Sequence, residues 1–135
     1  MDRKFSEIAE YNIAKSHRVY ETALLTFKDG DYNSSINRAY YAVFHMICAV
    51  LILEGKSYKE HSDVLAEFNR FYLKDKIFTE FSYKMIEKLS RARNNSDYTD
   101  MFWASADETI VQLENAKIIC DAIEPYIKNR IISDG

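Results

Sequence analysis

The chain has 135 residues, a net charge of −3 and 47% hydrophobic residues, including 10 Tyr, 8 Phe and 1 Trp. This is enough apolar material for one core, and 3 Gly with 1 Pro leave too few turn residues for an all-β protein. The acidic balance argues against a broad, sequence-blind nucleic-acid binder and against a basic membrane-surface helix, while a small local phosphate site stays open.

In chain order, residues 5–28 read as a first helix, with Ile13, Tyr20, Leu24 and Phe27 at helical spacing and Asp29-Gly30-Asp31 as its stop. A second helix follows over 32–53, closed by Gly55. Between Ala39 and Leu53 the only side chain that ionises near neutral pH is His45, and these 15 residues are shorter than the roughly 20 that span a bilayer. A helix apolar on nearly all sides is buried on nearly all sides, so this one is expected at the centre of a bundle and at a subunit interface, with Tyr40, Phe44 and Leu51 divided between the two. Ser57-x-x-Glu60 predicts a capping box for a third helix through Val64, Leu65, Phe68 and Phe71. After a break at Lys74-Asp75-Lys76, Phe78, Phe81, Met85, Leu89 and Ala92 step through a fourth helix. Ser105-x-x-Glu108 is a second capping box, opening a last helix with Ile110, Leu113, Cys120, Ile123 and Ile127 on one stripe; Pro125 is expected to bend that helix without ending it. No repeat, low-complexity segment or linker divides the chain, so residues 1–135 read as one domain.

Cys48 and Cys120 fall on apolar faces with no CxxC and no neighbouring ligand, which predicts inert thiols and neither a disulfide nor a metal site. Met1-Asp2-Arg3-Lys4 opens neither a signal peptide nor a span. A reducing, cytoplasmic setting is expected, with no membrane contact and no cofactor.

The candidate chemistry concentrates at the end of the fourth helix, Arg93-Asn94-Asn95-Ser96-Asp97-Tyr98. Ile86, Leu89 and Arg93 share a face, so the guanidinium sits beside the core, where it either grips phosphate with its planar fork or pairs internally with Asp97. Arg91 is explained by a solvated pair with Glu87 four residues earlier. Arg38, Tyr41 and His45 form a polar-tipped stripe on the second helix beside Asn37, and burying them requires a partner: water, another chain, or Arg93 and its neighbours. His45 is the generic acid/base candidate of this group. His17 and His61 read as surface or capping residues.

The run Asn37-Arg38-Ala39-Tyr40-Tyr41-Ala42-Val43-Phe44-His45, then Gly55, His61, Arg93-Asn94 and Asp97-Tyr98, resembles the HEPN domain family, in particular the small single-domain branch that pairs a YYA-x-FH helix with a later R-x-x-x-D-Y. The resemblance covers residues 5–130. It implies an all-α, up-and-down bundle of four to five helices that forms a homodimer, with the arginine motifs of two protomers facing one cleft. It further implies either a metal-independent ribonuclease, often a toxin of a toxin–antitoxin pair, or the companion of a minimal nucleotidyltransferase. Nucleotide or RNA phosphate is the implied ligand, held by Arg93 and Asn94 with Arg38 and Tyr41.

The chain departs from the ribonuclease pattern at one place. Catalytic members carry a histidine where this chain has Tyr98, and the tyrosine that some partnered members carry two residues further on is Asp100 here. A tyrosine titrates near pKa ~10 and makes a poor base at neutral pH. Binding through Arg93 is therefore the first reading. A ribonuclease using Arg93 with Tyr98, Asp97 or His45 is the second, and a purely structural or interaction protein the third.

Overall fold

The computed structural model describes residues 2–98 and 103–134, with the side chain of Tyr98 outside the description. Its elements are α1 (Arg3–Lys28), α2 (Tyr32–Ile52), α3 (His61–Phe68) with a π-helical turn Asn69–Leu73 continuing it, α4 (Tyr83–Tyr98) and α5 (Ala106–Asp134). The expected all-α helical bundle is what forms, and among the described residues there is no strand.

The reason for α2's apolar run is its position. It packs against α1, α3, α4 and α5, and no residue from 32 to 53 is fully exposed. By length and composition α2 could cross a membrane, but 61% of its most apolar window lies inside the protein, as in the core helix of a bundle. Met46, Ile47, Val50 and Leu51 pack there with Phe68, Leu89, Ile119, Ile123 and Ile127, each worth about 1.5–3 kcal/mol in transfer free energy. One line of α2 is only half-covered: Arg38, Tyr41, Phe44, His45, Cys48 and Ile52. Tyr40 and Leu51, each 2% exposed, belong to the core.

Several helix boundaries differ from expectation, each for a local reason. The Ser57 capping box does not form; α3 begins at His61 with Glu60 as its N-cap and no side-chain cap bond. Phe78 and Phe81 precede α4, yet both are buried, stacking with Phe68 at ring-centroid distances of 5.9 and 6.2 Å. Their helical spacing is met by a loop that tucks two rings under α3. Leu24 and Ile110, placed on the apolar stripes by spacing, are 47% and 39% exposed. The Ser105 cap forms, its Oγ accepting from Glu108 N at 3.1 Å, and α5 runs through Pro125 to Asp134. The break at 74–76 includes Lys76 in the left-handed region at φ 58°. Gly55 ends α2 with φ +70°, and a Cβ there would stand 3.0 Å from the Phe5 ring.

Candidate functional site

The face of α4 that buries Ile86 and Leu89 at 1% and 0% exposure continues one turn later to Arg93, which brings the guanidinium against α2. Its side chain is 15% exposed, and that of Asp97 26%. Arg93 Nε donates to Asp97 Oδ2 at 3.1 Å, Nη1 to Asn94 Oδ1 at 3.3 Å and Nη2 to the Tyr41 hydroxyl at 2.8 Å. Asp97 Oδ2 also accepts from Asn37 Nδ2 at 2.7 Å, and Asn37 Oδ1 accepts from Arg38 Nε at 2.8 Å and from Arg38 Nη2. The guanidinium carbon of Arg93 lies 5.4 Å from the Tyr40 ring centroid and 5.3 Å from that of Tyr41; Arg38 lies 5.6 Å from Tyr41, all within cation–π reach. Arg93, Asn94, Asp97, Arg38, Tyr41 and Asn37 thus form one network. Both alternatives for Arg93 meet in it, since the arginine pairs with Asp97 and still lines a cleft.

That cleft, of about 490 Å³, is bounded by Tyr40, His61, Ser62, Ser90, Arg91, Arg93 and Asn94 among others. A second polar cleft of about 610 Å³ opens toward Asn33, Ser34, Asn37, Arg38, Ser96 and Asp97. Arg93 lines the first cleft and its partner Asp97 the second, so the pair lies between them. Arg91 and Glu87 both line the first cleft, and among the described residues no ion pair joins them, contrary to the solvated pair expected from their spacing.

His61, expected at the surface or as a cap, is half-buried at the start of α3, where Glu60 and not His61 is the N-cap. Its ring stacks on Phe44 at 4.0 Å and 30°, and its Nδ1 lies 3.2 Å from the Tyr40 hydroxyl. Partial burial, and then the Arg93 charge, lower its pKa, with Glu60 opposing. Residues 40 and 61 are joined by no sequence spacing; the only available signal was a histidine one turn after a helix stop. His45 sits 5.9 Å from the Tyr41 ring, and burial, followed by Lys15, Arg38 and His61, pushes it down to about 4. It is neutral at pH 7 and a weak base. Burial pushes Tyr40 up to about 12, so its phenol stays protonated. The Tyr98 side chain and Asp100 lie outside the described residues.

His17, also expected at the surface, pairs with Glu124 of α5 beside a largely apolar cleft of about 540 Å³ between α1 and α5. Burial raises the thiols of Cys48 and Cys120 to about 11 and about 12, which keeps them unreactive. Among the described residues no three His, Cys, Asp or Glu side chains are grouped to hold a metal ion.

Comparison with known proteins places this geometry in context. The HEPN domain family matches residues 9–126. A UPF0332 protein of Thermotoga maritima is 29% identical over 91% of this chain and 93% of its own length. A protein of Methanocaldococcus jannaschii named "Putative toxin" is 28% identical over 90% of this chain and 85% of its own. A second protein of that organism with the same designation is 22% identical over 100% of this chain and 92% of its own.

Proposed function

The chain belongs to the HEPN domain family, and from that premise we propose that it binds the phosphate of RNA or of a nucleotide in the cleft at Arg93, within a toxin–antitoxin-like system. The observation that carries this reading is the guanidinium itself, 15% exposed, fixed by Tyr41, Asn94 and Asp97 and lining a polar cleft with Arg91 and Ser90. A pre-oriented fork loses little freedom when a phosphate docks. Two relatives carry toxin in their names, which supports the setting. A minimal nucleotidyltransferase as partner and a cytoplasmic location rest on the sequence resemblance and composition.

The half-covered line of α2 supports a homodimer, because Phe44, Cys48 and Ile52 leave apolar surface for a second copy. Sedimentation velocity tests this: the wild type is expected at the dimer mass, and Cys48→Glu at the monomer mass with its helical spectrum intact.

A ribonuclease is the second reading, favoured by His61, an imidazole lining the cleft of a chain whose sequence has Tyr98 in place of the motif histidine. Asp97 is committed to Arg93 and Asn37, and His45 is a weak base, so His61 is the better acid/base group. Incubating cellular RNA with purified protein in EDTA separates the readings. Cleavage lost in Arg93→Ala supports the enzyme. Binding of oligonucleotide without cleavage, lost in Arg93→Ala, supports the binding protein. Neither cleavage nor binding by folded wild type rejects both.

A further inference from the structure

The cleft contains an ionisable group that phosphate binding through Arg93 leaves unused. Tyr40 is 2% exposed, and a phenol so buried directs its proton to an acceptor. His61 Nδ1, at 3.2 Å, is the acceptor that the geometry offers. Neutral His61 then carries its proton on Nε2, the ring nitrogen left for a ligand. The same contact also suits the charged ring, since a tyrosine hydroxyl accepts as readily as it donates and Nδ1–H of an imidazolium points at its oxygen. Stacking on Phe44 holds the ring plane in either state.

Resting on the Arg93 phosphate reading, we propose that His61 takes up a proton when a phosphodiester docks in this cleft, so that an imidazolium and a guanidinium hold the same anion. The charge inventory specifies the ligand class. On α4, Arg91 and Arg93 are matched by Glu87, which lines the cleft, and by Asp97, which is bonded to Arg93. Among the described residues these α4 charges offset one another, with Glu60 the acidic group beyond them, and one imidazolium supplies one positive charge. That matches the single charge of a diester better than a dianionic terminal phosphate. Each packed element faces His61 with charge or a titratable group: α2 with Tyr40, Tyr41 and His45, α4 with Arg93, and the residue preceding α3 with Glu60. Of these, Arg93 and burial disfavour the imidazolium when the cleft is empty. The negative charge of a docked diester offsets the guanidinium's field at the ring, which raises the His61 pKa, so binding tightens as pH falls.

The test is titration calorimetry with 2′-O-methyl tetrauridylate lacking terminal phosphates, at constant ionic strength and at pH 8 and 5.5. This probe resists 2′-hydroxyl cleavage, and neither its diesters nor its bases titrate in that range. The wild type is expected to bind several-fold tighter at pH 5.5, up to the roughly tenfold limit set by a rise of about one pKa unit, and to take up a fraction of a proton, at most about half, as it binds. His61→Gln is expected to bind with the same affinity at both pH values, His45→Gln to keep the pH dependence, and Arg93→Ala to bind weakly at both. The His61 ring resonances of the wild type report the same proton by NMR without a substitution. Binding that is lost in Arg93→Ala but is equal at both pH values, with His61 unmoved, overturns the proposal and leaves the phosphate reading standing. A pH dependence that survives in His61→Gln also overturns it. No binding by the wild type at either pH removes both.

Discussion

Two arginines, one toward each end of α2, have nearly the same partners and different surroundings. Arg93 donates to a carboxylate and to the hydroxyl of Tyr41. Arg130 donates to Glu54 Oε1 at 2.8 Å and to the Tyr126 hydroxyl at 3.1 Å, with its guanidinium carbon 5.8 Å from the Tyr126 ring. Arg130 ties α5 to the residue after α2, and those hydrogen bonds to Glu54 and Tyr126 hold its proton more firmly still. Among the described residues its hydrogen bonds and ion pairs go to Glu54, Tyr126 and Asp134, with no second arginine or imidazole among them. Arg93 has Arg91, Asn94 and His61 on the same cleft wall. The first-contact partners of an arginine therefore do not distinguish a clasp from a binding group; what converges around the pair does.

The largest separation between the two should appear in ligand affinity. Arg93→Ala is expected to weaken oligonucleotide binding by about 1.5–3 kcal/mol, the range for hydrogen bonds to a charged group, while Arg130→Ala leaves it unchanged; fluorescence anisotropy reads both. Equal losses would break the contrast. Acid sensitivity comes next, because the Arg93 end holds two histidines lowered by burial. His45 titrates at about 4 in the fold and near 6.5 unfolded, so the unfolded chain takes the proton first. Its stabilisation is present above pH ~6.5 and is lost as pH falls toward about 4. After allowance for solvent screening this amounts to on the order of 1–2 kcal/mol, seen as a flatter pH dependence of the urea midpoint in His45→Gln. Arg130→Ala should cost about 0.2–1 kcal/mol of stability, as expected for a partly exposed pair. Smallest, Asp97→Asn should tighten oligonucleotide binding about two- to threefold, because the charge opposing Arg93 is removed while an amide oxygen can still accept its hydrogen bond. Weaker binding in that variant would mean that the carboxylate's main role is to aim the guanidinium.

How far the sequence could be read differs between the fold and the site. The centrality of α2 was legible because a long run with one side chain that ionises near neutral pH is buried on nearly all sides, and the end of α4 was legible because an arginine followed an apolar face. Phe78 and Phe81 misled because burial at helical spacing does not require a helix. Ser57 misled because a capping box needs a backbone turn that residues 57–60 do not adopt. His61 was missed because its partners, Tyr40, Phe44 and Arg93, come from other helices, and a contact across helices leaves no spacing to find. Arg91 was assigned to Glu87 by a spacing rule worth a few tenths of a kcal/mol, too little to prevent both from facing the cleft.

The close fit of Phe5 against Gly55 has a genetic consequence. Position 55 is constrained twice, by a φ of +70° that L side chains rarely adopt and by a ring edge 3.0 Å from any Cβ. A suppressor screen starting from Gly55→Ala would find Phe5→Ala able to relieve only the crowding, since the backbone strain is indifferent to what residue 5 carries. Compensation at this corner is therefore partial at best, and reversion is the one full repair open to the gene.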